Sequence, residues 1–222
     1  MVTLLLLLLV AAALALLWSQ QRRQVGARRA SPALARSLFD LQPGDVVQAH
    51  DRDWVVEERL QYDQDGFIWF DHLLRDGELR RWLAVCEDDE LELSWWEEID
   101  PGEIDPGEIE PVASDPQALP ARLGTALGAA GPFPSSCRWR GVTHRRREWG
   151  EALVTAAARR LPHRPGLCRF ADYEAADGAL LCLEVWGKAA QGQELEASAG
   201  HRLDPLDLRL LPGDGRSVYR PA

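Results

Sequence analysis

Two Asp-Gly pairs, Asp65-Gly66 and Asp76-Gly77, constrain this chain more than any other feature. Each stands between runs in which apolar and polar residues alternate. A type I′ turn needs positive φ at both central positions, and Asp-Gly supplies it. The spacing predicts a three-stranded meander: Trp54–Tyr62, Phe67–Arg75 and Glu78–Val85. Across the first turn Gln64 faces Phe67, so Tyr62 faces Trp69 and Leu60 faces Asp71. Across the second, Arg75 faces Glu78, so Leu74 faces Leu79, Phe70 faces Leu83 and Asp71 faces Trp82. Side chains alternate faces along a strand. One face therefore carries Ile68, Phe70, Leu74, Leu79, Leu83 and Val85; the other carries Leu60, Tyr62, Trp69, Leu73 and Trp82. The middle strand is apolar on both faces, so it belongs at the centre of a sheet with both sides covered. Three strands cannot cover themselves, and the second half of the chain must supply the cover.

That half supplies more strands. Pro43-Gly44 turns into a short strand at Val46-Val47. Leu91–Ile99 alternates like a half-buried fourth strand. Cys168–Glu174 and Ala179–Gly187 form a third hairpin around Asp177-Gly178, with Cys182 opposite Tyr173. Leu206–Leu211 is a last short strand. Between these lie an acidic loop over 100–118, which repeats DPGEI, and a Gly- and Ala-rich linker over 119–137. Glu148–Leu161 reads as a helix: Trp149, Leu153, Ala156, Ala157 and Leu161 share a stripe, and Pro162 stops it. The expected class is mainly β with one or two short helices (α+β), as an antiparallel meander, a sandwich or a partly closed barrel. The domain runs over 38–212, with a flexible tail at 213–222.

Val2–Trp18 is an apolar run broken by Thr3 alone, followed by Arg22, Arg23, Arg28 and Arg29. It reads as one transmembrane helix over 2–18 with a basic juxtamembrane linker over 19–37. The flanking charge puts the amino terminus outside and the domain in the cytoplasm, as a single-pass protein of the cell membrane. The formal net charge is −10, and the five arginines up to Arg36 face no acid, so the body is more acidic still. Such a body lacks the basic face that nucleic acid requires. The membrane and a protein partner are the expected partners.

No cofactor or metal is expected. Cys86, Cys137, Cys168 and Cys182 make no CxxC pair, and the five histidines have no ligand spacing. His72 is expected beside Arg59 and Arg81 on a polar surface. No Gly-rich phosphate loop or nucleophile elbow is present, and no catalytic residue is assigned. Asp71, opposite Trp82, and Glu184, inside an apolar strand, are the carboxylates expected to be buried. Buried acids are catalytic in some enzymes and structural in many more proteins. Arg145, Arg146 and Arg147 are the candidate ligand-binding residues, for anionic lipid or a polyphosphate. The segments LQPGDVV (41–47), WVVEERLQY (54–62), FIWFDHLL (67–74), RWLAV (81–85) and YEAADGALLCLEVWG (173–187) together resemble a bacterial domain of unknown function, family 4178. The resemblance implies a mostly β fold and a membrane-associated accessory role. It carries no catalytic residue. The leading expectation is a non-enzymatic, membrane-tethered docking domain; the alternatives are an enzyme built from scattered carboxylates and a ligand- or lipid-binding module.

Overall fold

Twelve antiparallel strands form one continuous sheet in the computed structural model, which describes residues 36–106, 133–156, 166–187 and 194–213. The strands are β1 (Val46–Ala49), β2 (Arg52–Gln64), β3 (Phe67–Asp76), β4 (Leu79–Glu87), β5 (Leu91–Ile99) and β6 (Asp105–Pro106). Then come β7 (Ser136–Trp139), β8 (Val142–Ala156), β9 (Gly166–Ala175), β10 (Leu180–Trp186), β11 (Glu194–Leu203) and β12 (Arg209–Leu211). Strand β2 pairs with β3 on one side and, through Leu60–Asp63, with β8 on the other. Because β5 pairs with β11, this contact closes β2-β3-β4-β5-β11-β10-β9-β8 into a ring. Closure removes sheet edges.

The ring has an inside and two covered outer walls. Outside β1–β5, Leu41, Trp54, Leu74, Leu83, Val85 and Trp95 pack under the 38–41 segment and the last strands. Outside β9–β11, Tyr173, Leu181 and Leu183 pack with Phe133, Cys137 and Ile104. Inside, Leu60, Leu73, Trp82, Val154 and Phe170 form a third cluster. Each fully buried Leu or Val contributes about 1.5–3 kcal/mol. The two faces read for the meander are the outer and inner walls, and β3 is central. Its covering stops at the start of the strand, where Phe67 and Ile68 are exposed.

Asp45 closes the body. Its unexposed carboxylate accepts from the Gln42 N–H at 2.8 Å and the Gly213 N–H at 2.6 Å, and pairs with Arg36 at 2.9 Å. A Cβ on Gly213 would run into the Gly44 carbonyl. The Pro-Gly-Asp turn thus ties the start of the domain to its last described residue.

Four expectations need correction. The second hairpin turns at Gly77-Glu78, with Gly77 at φ +60 and Asp76 opposite Leu79. Only the first central residue has positive φ, the type II′ pattern. Every β3–β4 pair shifts by two, so Leu73, not Asp71, faces Trp82, and the faces survive. The third hairpin has a three-residue loop, 176–178, with Gly178 at φ +85. That shift is one residue, so Cys182 faces Asp172 and Cys168 faces Trp186.

Glu148–Ala156 is strand, not helix: its residues belong to the fifteen-residue β8. Its period-2 face of Ala152 and Val154 is buried by β9 and β2, whereas Trp149 and Leu153 of the supposed stripe are exposed. Tertiary pairing overrides local periodicity. The only helical pieces among the described residues are single 3-10 turns, Pro101–Glu103 and Pro205–Asp207; the latter shortens the last strand to β12. Finally, His72 is fully buried, with Nε2 2.8 Å from the Leu38 carbonyl. Among the described residues no helix is long and apolar enough to cross a membrane. The run Val2–Trp18 lies outside them, as do residues 107–132 and 157–165.

Candidate functional site

The strand period carries the site. On β3 it turns Phe67, Trp69 and Asp71 inward. On β9, β10 and β11 it turns Asp172, Glu184 and Glu196 inward, and on β5 it turns Glu92, Trp96 and Glu98. These residues line a cavity of about 200 Å³, together with Leu60, Tyr62, Trp82, Phe170 and Trp186 of the inner apolar cluster. The cavity opens toward the end that holds the 88–90 turn. A wider cleft there shares Phe67, Glu92, Trp96 and Glu148 with it and adds Asp88 and Asp89. Among the described residues seven carboxylates line the cavity, and no basic residue does.

The walls are fixed by rings. Tyr62 stacks on Trp69 with centroids 5.0 Å apart, Trp69 meets Phe170 edge-on at 5.3 Å, and Trp186 lies 6.3 Å from Tyr62. Two donors on the walls are held by acids. The Tyr62 hydroxyl donates to Glu184 at 2.9 Å, and the Trp82 indole N–H donates to Glu98 at 3.0 Å. Cys182 hydrogen-bonds Asp172. Asp71 Oδ1 is buried and has no hydrogen-bond partner among the described residues.

Burial in company with other acids raises these carboxylates. Burial, then Asp172, pushes Asp71 up to about 7. Burial, then Asp71, pushes Glu184 up to about 8, although Tyr62 and Cys168 hydrogen-bond it. Glu196 rises to about 8 through burial and Glu184, and Asp172 to about 6 through burial. The Cys168 and Cys182 thiols are pushed well up by burial, which keeps them unreactive. The interior thus offers acceptors and exchangeable protons, with no positive counter-charge on its walls among the described residues.

A family model described as a domain of unknown function (DUF4178) matches residues 42–205. The chain belongs to this family. Over 57 residues the chain is also 40% identical to uncharacterized proteins of Mycobacterium bovis and Mycobacterium tuberculosis. That match covers 25% of this chain and 28% of each mycobacterial protein. No solved structure matches.

Of the residues singled out from sequence, the DUF4178 fold brings Asp71 and Glu184 together on the cavity wall. They come from strands far apart in the chain, with Tyr62 beside both. The arginines are separated instead. Arg147 pairs with Glu174 at 2.9 Å, Arg146 donates to the Phe133 carbonyl, and Arg145 is exposed opposite Ser136. The basic and acidic segments do meet: Asp105 lies opposite Arg138 in the β6–β7 register, and the Trp139 indole reaches Glu103. Sequence reasoning missed Asp172, Glu196, Glu98 and the aromatic cage. Part of the signal was local: on β11 Glu194, Glu196 and Ser198 alternate with the apolar Leu195, Ala197 and Ala199.

Among the described residues no His, Cys, Asp or Glu group is arranged to hold a metal ion. Acids that titrate near neutrality, beside a phenol, are equipped to pass a proton to or from a bound molecule. They are equally equipped to bind one by charge.

Proposed function

We propose that this domain is a binding module that takes a small molecule into the barrel interior, held at a membrane surface by Val2–Trp18. The observation that supports the binding reading is the rigid aromatic cavity at the open end of a ring whose outer walls are covered by its own segments. Eight-stranded barrels are just wide enough to hold one small ligand, and pockets with apolar walls and a few convergent polar groups are the usual ligand sites. The test uses the full chain in detergent and a series of small benzyl compounds: neutral, anionic and cationic. At least one class quenches tryptophan fluorescence saturably, and Ala84→Trp, which fills the cavity, abolishes it. Saturable quenching by none of them, or quenching unchanged in Ala84→Trp, removes the reading.

Partner docking is a second proposal, and one observation favours it. On the outside of the ring Trp149 and Leu153 are 59% and 57% exposed, and Leu167 and Ile68 are bare nearby. Leu153 lies opposite Leu167 on β9 and opposite Asp63 on β2, which itself faces Ile68. A bare apolar strip of this kind marks a protein contact. The partner expected is another protein with an apolar face. Cross-linking from position 153 in cells yields one discrete adduct that Trp149→Ser removes; a smear or no adduct removes the proposal.

A further inference from the structure

We propose that the cavity binds an organic cation, a small alkyl- or arylammonium whose N–H groups or methyls face the Asp71–Glu184 pair while its carbon body lies among the indoles. This names the ligand class for the interior site and rests on that reading. Three observations carry it. First, Asp71 Oδ1 is buried against the cavity without a hydrogen-bond partner, so the wall presents an unmet acceptor. Second, the wall donors identified here are already used: the Tyr62 hydroxyl on Glu184 and the Trp82 indole N–H on Glu98. Seven carboxylates outnumber the two serine hydroxyls of the same lining, so the wall favours a ligand that donates. A sugar brings both roles in every hydroxyl, and this wall offers its oxygens far fewer donors than it offers acceptors. An ammonium brings donors alone.

Third, among the described residues seven carboxylates and no cation line the cavity, yet the aromatic faces of Tyr62, Trp69, Phe170 and Trp186 crowd the same space. Aromatic faces attract a cation through their quadrupole, most strongly when it is desolvated. Carboxylates attract it by charge. Each half of this wall selects the same ligand, and both repel an anion. About 200 Å³ admits a body of about ten non-hydrogen atoms. The cleft at the mouth carries Asp65, Asp88, Asp89, Glu90, Glu92, Glu148 and Asp172 against Arg147 and Arg202, an acidic excess that favours the approach of a cation.

The experiment compares benzylammonium, benzyltrimethylammonium, benzyl alcohol, benzoate and methyl glucoside on the full chain in detergent at pH 8, by tryptophan quenching and calorimetry. The expected result is saturable binding of one or both ammonium compounds, at least tenfold tighter than benzyl alcohol, with no binding of benzoate. Asp71→Asn and Glu184→Gln each weaken the ammonium at least tenfold. The charge series needs no variant, so it decides even where a substitution unfolds the protein. Benzyl alcohol, benzoate or the glucoside binding as tightly as the ammonium compounds overturns the cation while leaving the interior site in place. Binding of none overturns both.

Discussion

At the level of single residues, the buried acids set how stability depends on pH. Asp71 and Glu184 have folded pKa values near 7 and 8, above the 3.8 and 4.5 of an unfolded chain. The folded state therefore holds more protons than the unfolded one between pH 4 and 8. Stability from these groups is fully present below the unfolded values and is lost as pH rises through the folded ones. The groups facing Glu184 act in the same direction: Asp71, Asp172 and Glu196 repel it, and among the described residues no cation on the cavity lining offsets them. At about 1.4 kcal/mol per pKa unit the cumulative loss is several kcal/mol. The melting temperature of the ligand-free protein should fall between pH 5 and 8.5, and Glu184→Gln should flatten that slope and raise the melting temperature at pH 8.5. A flat profile for the unaltered chain would contradict this.

His72 works in the opposite sense. Burial lowers it to about 4 from 6.5, with Arg59 adding to the shift and Leu38, Asp45 and Asp40 opposing it. Its contribution is present above pH 6.5 and fades as pH falls through 4. His72→Gln, which keeps a donor for the Leu38 carbonyl, should reduce the loss of stability between pH 6.5 and 4, read by the same melting series.

Among elements, turn chemistry decided what the sequence could reveal. Asp65-Gly66 has both residues at positive φ, and its hairpin was legible pair by pair. Asp76-Gly77 carries the same letters but turns one residue later, which moves register by two and spares the faces. Asp177-Gly178 sits in a three-residue loop, which moves register by one. Neither choice is written in the dipeptide; both depend on where the strands lock against β2 and β11. Strand β8 was illegible for the same reason, since Glu148–Ala156 fits a helical stripe until β9 and β2 claim its other face. Two glycines separate conformational from packing cost. At Gly178, φ +85 with open space around it, alanine should cost about 1 kcal/mol. At Gly200 a Cβ would lie 2.4 Å from the Trp95 carbonyl and 2.6 Å from the Trp96 ring, where β11 crosses β5. Backbone cannot yield there, so Gly200→Ala should cost more, about 1–3 kcal/mol by urea denaturation. Equal costs would mean that the β5–β11 contact is looser than described.

For the whole molecule, the β2–β8 and β5–β11 contacts turn the sheet into a ring, and both join strands that are distant in sequence. No local signal encodes them, which is why the sequence left meander, sandwich and barrel open and showed only two of the seven acids of the interior. Once closed, the body holds all three apolar clusters within residues 38–210. Asp45 fastens Arg36 at one end and Gly213 at the other. A chain that begins at Arg36 keeps every one of these contacts, so it should melt within a few degrees of the full chain. The same deletion removes Val2–Trp18 and the arginines behind it, and with them the only stretch that reads as a membrane span. The full chain should therefore sediment with membranes and resist extraction by carbonate, whereas residues 36–222 should remain in the supernatant, folded and still able to bind. Intact cells exposed to external protease should preserve the domain if it lies on the cytoplasmic side. Digestion from Leu38 onward would reverse the orientation, and a full chain that stays in the supernatant would remove the tether altogether.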